Sequence, residues 1–200
     1  MVKPQLILAS SSPRRFEMLQ AHGHQVEVLA PDVDEYLDSQ IKLSSLPAEL
    51  EGLALRKARY VVQQLQRQTS RPMDRLALVI GADTVVYADE VLGKPADYQD
   101  ALSTLLKLRN RTHLVMTAVA LIELPALVEK TFTDTATVRF ADYSMAEIDE
   151  YLHTDEPHDK AGSYAIQGAW GAQVVELVGD IETVIGLPYR RLKDYTGLLG

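Results

Sequence analysis

Apolar positions recur along this chain with two different periods, and the periods predict its elements. LILAS (6–10) is a short apolar run of buried-strand type that leads directly into a helix over 13–21, closed by Gly23. QVEVLA (25–30) alternates as a second strand. The next segment, PDVDEYLDSQIKLSS (31–45), is polar and acidic and is expected to be a mobile loop. From about Pro47 a helix is expected, because Leu50, Ala54, Ala58, Val61 and Leu65 fall on one face at helical spacing.

RLALVIGADTVVYADEVLGKP (75–95) predicts a buried strand, a break at Gly81-Ala82-Asp83, and then a short hairpin turning at Ala88-Asp89-Glu90. Asp97 is placed to cap a helix over 98–108. HLVMTAVALIEL (113–124) and VEKTFTDTATVRF (128–140) predict two long strands joined near Pro125, the second alternating Phe132, Ala136, Val138 and Phe140 against Thr and Arg. Ser144 and Glu147 form a capping box for a helix over 145–153. Glycine-rich segments and strands are expected over 161–185, and Pro188 opens a last helix. There is no internal repeat, low-complexity tract or linker. The expectation is therefore one α/β domain over residues 1–200, with a mixed sheet and two lobes.

Composition narrows the function classes. The chain has 200 residues, 46% of them hydrophobic and 24% charged, which suits an ordinary globular domain. A formal net charge of -8 argues against nucleic acid polymers and anionic membranes as partners, since both call for broad basic surfaces. The absence of cysteine excludes disulfides, thiolate zinc sites and a cysteine nucleophile. With no charged-then-apolar leader and no run long enough to cross a bilayer, the cytoplasm is the expected compartment.

Candidate chemistry begins where the first strand meets the first helix. Pro13 suits the first helical position and Ser12 the N-cap, so Arg14 and Arg15 fall in the first turn. A helix N-terminus carries partial positive charge, and two arginines there are unfavourable unless an anion joins them. Ser10 would add a hydroxyl donor to such a site; the alternative is a solvated helix with untidy charge. Lys57 has Leu53, Ala54, Tyr60 and Val61 three and four residues away, so its stem runs along a packed edge, as in a catalytic lysine or a snorkelling one. Lys94 is held between Gly93 and Pro95, in a turn that could aim it into a cleft or simply at solvent.

Asp83 follows the most apolar strand, where open α/β sheets place functional groups, although turn-capping aspartates are common. Asp32, Asp34 and Glu35 form an acidic cluster suited to solvation or to a hard cation beside phosphates. HTDEPHDK (153–160) reads as a polar turn rather than a metal site, and Trp170 as a packed aromatic. Taken together, two arginines, two lysines, a strand-end aspartate and an acidic loop are the parts needed for metal-assisted hydrolysis of a polyphosphate.

From LILASSSPRR through VDE, the lysine of LRKA, GADTVV, LGKP and DEPHDKAGSYAIQG to VIGLPY, the chain resembles the Maf family of nucleoside triphosphate pyrophosphatases. The resemblance implies an elongated mixed β-sheet flanked by helices, of the kind shared with inosine-triphosphate pyrophosphatases, with the nucleotide in a cleft between two lobes. It implies cleavage between the α and β phosphates with the help of Mg²⁺ or Mn²⁺, and a homodimer. By position, Asp83, Lys57 and Lys94 match the catalytic set. Ser10, Arg14 and Arg15 match the phosphate-binding signature, and Glu35 joins Asp83 as a metal-binding carboxylate. Arg14, Thr84 and Gln167 match the branch that acts on dTTP and UTP, whose alternating carbonyl and N3–H a glutamine amide can meet. Leu55, Ser163 and Ala165 depart from the family's commoner residues. The family's septum-formation name keeps a second class open, a nucleotide-binding regulator of cell division.

Overall fold

In the computed structural model of the protein, residues 4–67 and 76–196 are described; Arg75, at the head of the third apolar segment, and both chain ends lie outside them. The strands are β1 (Gln5–Ala9), β2 (Val26–Val28), β3 (Ala77–Tyr87), β4 (Val91–Leu92), β5 (Thr112–Leu124), β6 (Val128–Phe140) and β7 (Val174–Val178). The helices are α1 (Pro13–Ala21), α2 (Leu46–Arg67), α3 (Tyr98–Leu108), α4 (Met145–Leu152), α5 (Ile181–Ile185) and α6 (Tyr189–Thr196). One sheet runs in the order β2-β1-β3-β5-β6-β7, with β4 paired to β3. β1 is parallel to both β2 and β3, and every other pairing is antiparallel.

Side-chain alternation divides the core. Ala77, Val79 and Val85 of β3 share one face with Met116, Ala118, Ala120 and Ile122 of β5, and α2 covers it with Leu50, Ala54, Ala58, Val61 and Leu65. The opposite face carries two separate clusters. At one end Leu78, Ile80, Val119, Leu121 and Phe132 pack under Leu19 of α1 and Leu192 of α6. At the other, Val86, Val115, Val138 and Phe140 pack under Leu105 of α3, Ile148 of α4, Tyr164 and Trp170. Between them runs a polar rung, Thr84 opposite Thr117 and Thr117 opposite Asp134.

Most predicted elements stand where the pattern put them. Asp97 accepts from the Asp100 N–H to cap α3, the Ser144 and Glu147 capping box is complete, and Leu124-Pro125 turns β5 into β6. Trp170 is buried, stacked on Tyr151 at 4.5 Å between centroids. Segment 31–45 forms neither strand nor long helix, yet Leu37 and Ile41 pack against the α2 cluster.

Two expectations are corrected. The chain does not break at Gly81-Ala82-Asp83: β3 continues through them because β5 pairs with it along its whole length, from Ala77 opposite Leu124 to Tyr87 opposite Leu114. Gly81 is there for close approach rather than for a turn, since a Cβ at that position would lie 2.3 Å from the Ala54 carbonyl of α2. Residues 181–185 form a helix rather than a strand, started by Asp180 accepting from the Glu182 N–H and ended at Gly186, whose φ of 120° favours glycine.

Candidate active site

β1 ends at Ala9, opposite Gly81, and β4 begins opposite Tyr87, so the intervening edge of β3 is left uncovered. A cleft of 630 Å³ opens there, within the range typical of small-molecule sites. The nine residues matched by position to the family's motifs all line it: Ser10, Arg14, Arg15, Glu35, Lys57, Asp83, Thr84, Lys94 and Gln167. Asp83 therefore lies just beyond the parallel part of β3, although the strand itself runs on. Asp32 and Asp34, the other members of the acidic cluster, are not part of the lining; Asp34 caps a local turn by accepting from the Tyr36 N–H at 2.9 Å.

Alternation along β3 sends Asp83 and Thr84 to opposite faces, and each meets a different cation. On the α2 face Lys57 is 3% exposed, which rules out the snorkelling alternative. Its Nζ donates to Asp83 Oδ1 and lies 2.8 Å from Glu35 Oε1, so one buried ammonium binds two carboxylates from distant segments. Lys94 Nζ is 3.8 Å from the other oxygen of Glu35. Partial burial pulls the Glu35 carboxyl upward, but its hydrogen bond to Lys57 and the charges of Lys57, Lys94 and Arg15 together hold it below its usual value.

On the other face Arg15 is buried, and its guanidinium is largely engaged by the protein. Nε donates to the Gly186 carbonyl at 2.8 Å, Nη1 to Ser10 Oγ at 3.1 Å and Nη2 to Thr84 Oγ1 at 3.0 Å. Burial lowers the Arg15 pKa, with Arg14 adding to the effect and Asp83 and Glu35 opposing it. Ser10 Oγ also accepts from the Ser12 N–H at 3.1 Å, so both of its lone pairs are taken and its O–H is the group left to offer. Ser12 occupies the N-cap of α1 without a side-chain cap bond, and the first turn holds no acid. The N-terminus of α1 thus meets the cleft without a side-chain cap, beside the Ser10 hydroxyl and Arg14, as an anion-binding helix start does.

Asp159, Lys160 and Tyr164 line the cleft as well, and sequence reasoning gave them no role. The first two sit in the segment read as a polar turn, where Lys160 Nζ donates to the Glu156 carbonyl at 2.6 Å and to Asp159 Oδ1. Tyr164 joins His113 through a 2.9 Å hydrogen bond. The signal that could have found them is the run KAGSY, a lysine and a tyrosine around a glycine with φ of 71°.

Among the described residues no group of three or more His, Cys, Asp or Glu side chains is placed to hold a metal ion. Two carboxylates, Glu35 and Asp83, do stand together. That set is too small for a resident structural ion and suited to Mg²⁺, which keeps its waters and binds through one or two carboxylates plus substrate phosphates.

The family profile described as Maf-like protein matches residues 5–196. A dTTP/UTP pyrophosphatase of Symbiobacterium thermophilum is 45% identical over 189 residues, covering 94% of this chain and 90% of that protein. One from Dictyoglomus turgidum is 37% identical over 201 residues, covering 100% of this chain and 98% of its own. Among solved structures, a HAM1 protein from Coxiella burnetii has a TM-score of 0.53 at 16% identity, covering 98% of each chain, a likeness of fold alone.

Proposed function

The chain belongs to the Maf family, and from that premise we propose that it is a nucleoside triphosphate pyrophosphatase hydrolysing dTTP and UTP, and modified pyrimidine nucleotides of the same pattern, to the monophosphate and pyrophosphate. The observation that carries the reading is the buried Lys57 held between Asp83 and Glu35 beside the open N-terminus of α1. Cations, a helix N-terminus and two carboxylates around one cleft support a site that receives a triphosphate and orients a water.

In this reading Ser10, Arg14, Arg15 and Lys94 receive the phosphates, Ser10 with its one free proton and the α1 N-terminus with its backbone donors. Lys57 and Lys94 offset the charge that develops on the phosphate oxygens as the bond breaks. Glu35 and Asp83 would hold a divalent cation, Mg²⁺ or Mn²⁺, which when bound neutralises phosphate charge. Asp83 orients and deprotonates the attacking water, and its bond to Lys57 fixes its rotamer. Gln167 meets the pyrimidine carbonyl and N3–H, with Thr84 and Arg14 shaping the same side. In this reading the chain acts as one domain and as a cytoplasmic homodimer, without nucleic acid polymer or membrane as partner.

The test is Asp83→Asn. The amide preserves the shape but can neither take a proton nor carry charge, so dTTP binding should persist while turnover falls by about 10²-fold or more. Near-wild-type turnover would remove Asp83 from the chemistry.

A further inference from the structure

The polar rung that separates the two clusters has a direction, and the direction is set by one proton. Thr117, 0% exposed, lies opposite Thr84 on one side and Asp134 on the other. Its hydroxyl donates to the Thr183 carbonyl at 2.7 Å, and a carbonyl can only accept. The 2.9 Å contact between the Thr84 and Thr117 hydroxyls must then use the proton of Thr84. Thr84 Oγ1 already accepts from Arg15 Nη2, which leaves it a single lone pair and no proton for the cleft. The order of donation is forced: Arg15 to Thr84, Thr84 to Thr117, Thr117 to the Thr183 carbonyl.

The far end of this chain is anchored. Thr183 donates its own hydroxyl to Asp134, which Arg191 Nη1 holds at 2.6 Å, so the accepting carbonyl belongs to a helix tied down on β6. The near end fixes Arg15, whose other bonds go to Ser10 and to Gly186 at the end of the same short helix.

We propose that Thr117, which does not line the cleft, is a positioning residue for the reaction: it fixes Thr84 as an acceptor-only group toward the substrate and, through Thr84, sets the aim of the Arg15 guanidinium. With the hydroxyl of Thr117 gone, the Thr84 proton has no inward partner and turns to compete with Arg15, and the guanidinium loses its acceptor. A substrate group meeting Thr84 must be a donor, such as a ring N–H or a sugar hydroxyl, and not a carbonyl or phosphate oxygen. This inference rests on the cleft being the triphosphate site proposed above.

A double-mutant cycle separates positioning from mere packing. Thr117→Val, of nearly the same shape, should lower kcat/KM for dTTP about tenfold, and Thr84→Val by a similar factor. Because Thr117 acts through Thr84, the double variant should be no worse than Thr84→Val alone to within about twofold. Thr117→Ser, which keeps the hydroxyl, should restore activity. Losses that multiply in the double variant, an unaffected Thr117→Val, or a Thr117→Ser as poor as the valine variant would each overturn the proposal. Should Thr117→Val not fold, Thr117→Cys, with a weakly bonding thiol at the same place, takes its position in the cycle. A wild-type protein that released no pyrophosphate would refute the proposed function separately, and the cycle would then be read from the dissociation constant of dTTP.

Discussion

His113 shows how far a single buried side chain couples this fold to pH. It is 2% exposed, Nε2 bonds the Tyr164 hydroxyl, Nδ1 has no hydrogen-bond partner among the described residues, and the ring packs 4.9 Å from that of Phe140. Burial lowers its pKa from 6.5 to about 4, so the folded protein keeps it neutral where the unfolded chain would protonate it. The stability it contributes is complete above pH 6.5 and is lost as pH falls toward 4, to a total of about 3 kcal/mol. Denaturant melts at neutral pH and at mildly acid pH should show a steeper loss for wild type than for His113→Phe. Parallel losses would contradict a buried neutral imidazole. The two arginines teach a related lesson. Adjacent residues on a helix point about 100° apart, so Arg15 is buried and bonded to Ser10, Thr84 and Gly186 while Arg14 stays half-exposed beside the cleft. The sequence marks the pair, but only the packing tells one from the other.

Among the elements, α2 and β3 carry the site between them, and Gly81 sets their separation. Gly81→Ala places a Cβ 2.3 Å from the Ala54 carbonyl and 3.0 Å from the Ala58 nitrogen, both backbone atoms that cannot turn aside. We expect a loss of about 1–3 kcal/mol together with reduced turnover, because the helix that must shift carries Lys57. Gly52→Ala on the same helix meets only the Arg56 guanidinium at 3.8 Å and should stabilise by about 0.5–1 kcal/mol. Equal denaturation midpoints for the two variants would refute this assignment. The same contact explains what could be read beforehand. The stripe on α2, the caps of α3 and α4 and the turn at Pro125 are local signals and were legible. The continuity of β3 was not, because a glycine needed for helix-to-strand approach looks in sequence like a glycine needed for a turn. Nor was α5, five residues long, whose start depends on one aspartate cap and whose neighbours read as strands.

At the scale of the molecule, the cleft exists because a parallel strand stops early. β1 leaves the edge of β3 bare beyond Gly81, and the two clusters on one face separate around the Thr84, Thr117 and Asp134 rung at the same level. All nine residues chosen from motif positions line that opening, drawn from segments as far apart as Ser10 and Gln167. Residue types alone suggested that the arginines, the lysines, Asp83 and the acidic loop work together, each with a bland alternative; Thr84 and Gln167 joined them only through the resemblance to the Maf family. The pairing of Lys57 with both Glu35 and Asp83 was not legible at all, since it joins a loop, a helix and a strand across the core. The most direct measurement is product release by the wild-type protein with Mg²⁺ or Mn²⁺ over a panel of dTTP, UTP, CTP, GTP, ITP and 7-methyl-GTP. We expect dTTP and UTP to be cleaved selectively, giving the monophosphate and pyrophosphate. Release of inorganic phosphate with a diphosphate product, or binding of these nucleotides without turnover, would contradict the pyrophosphatase reading, the latter in favour of a nucleotide-responsive regulator.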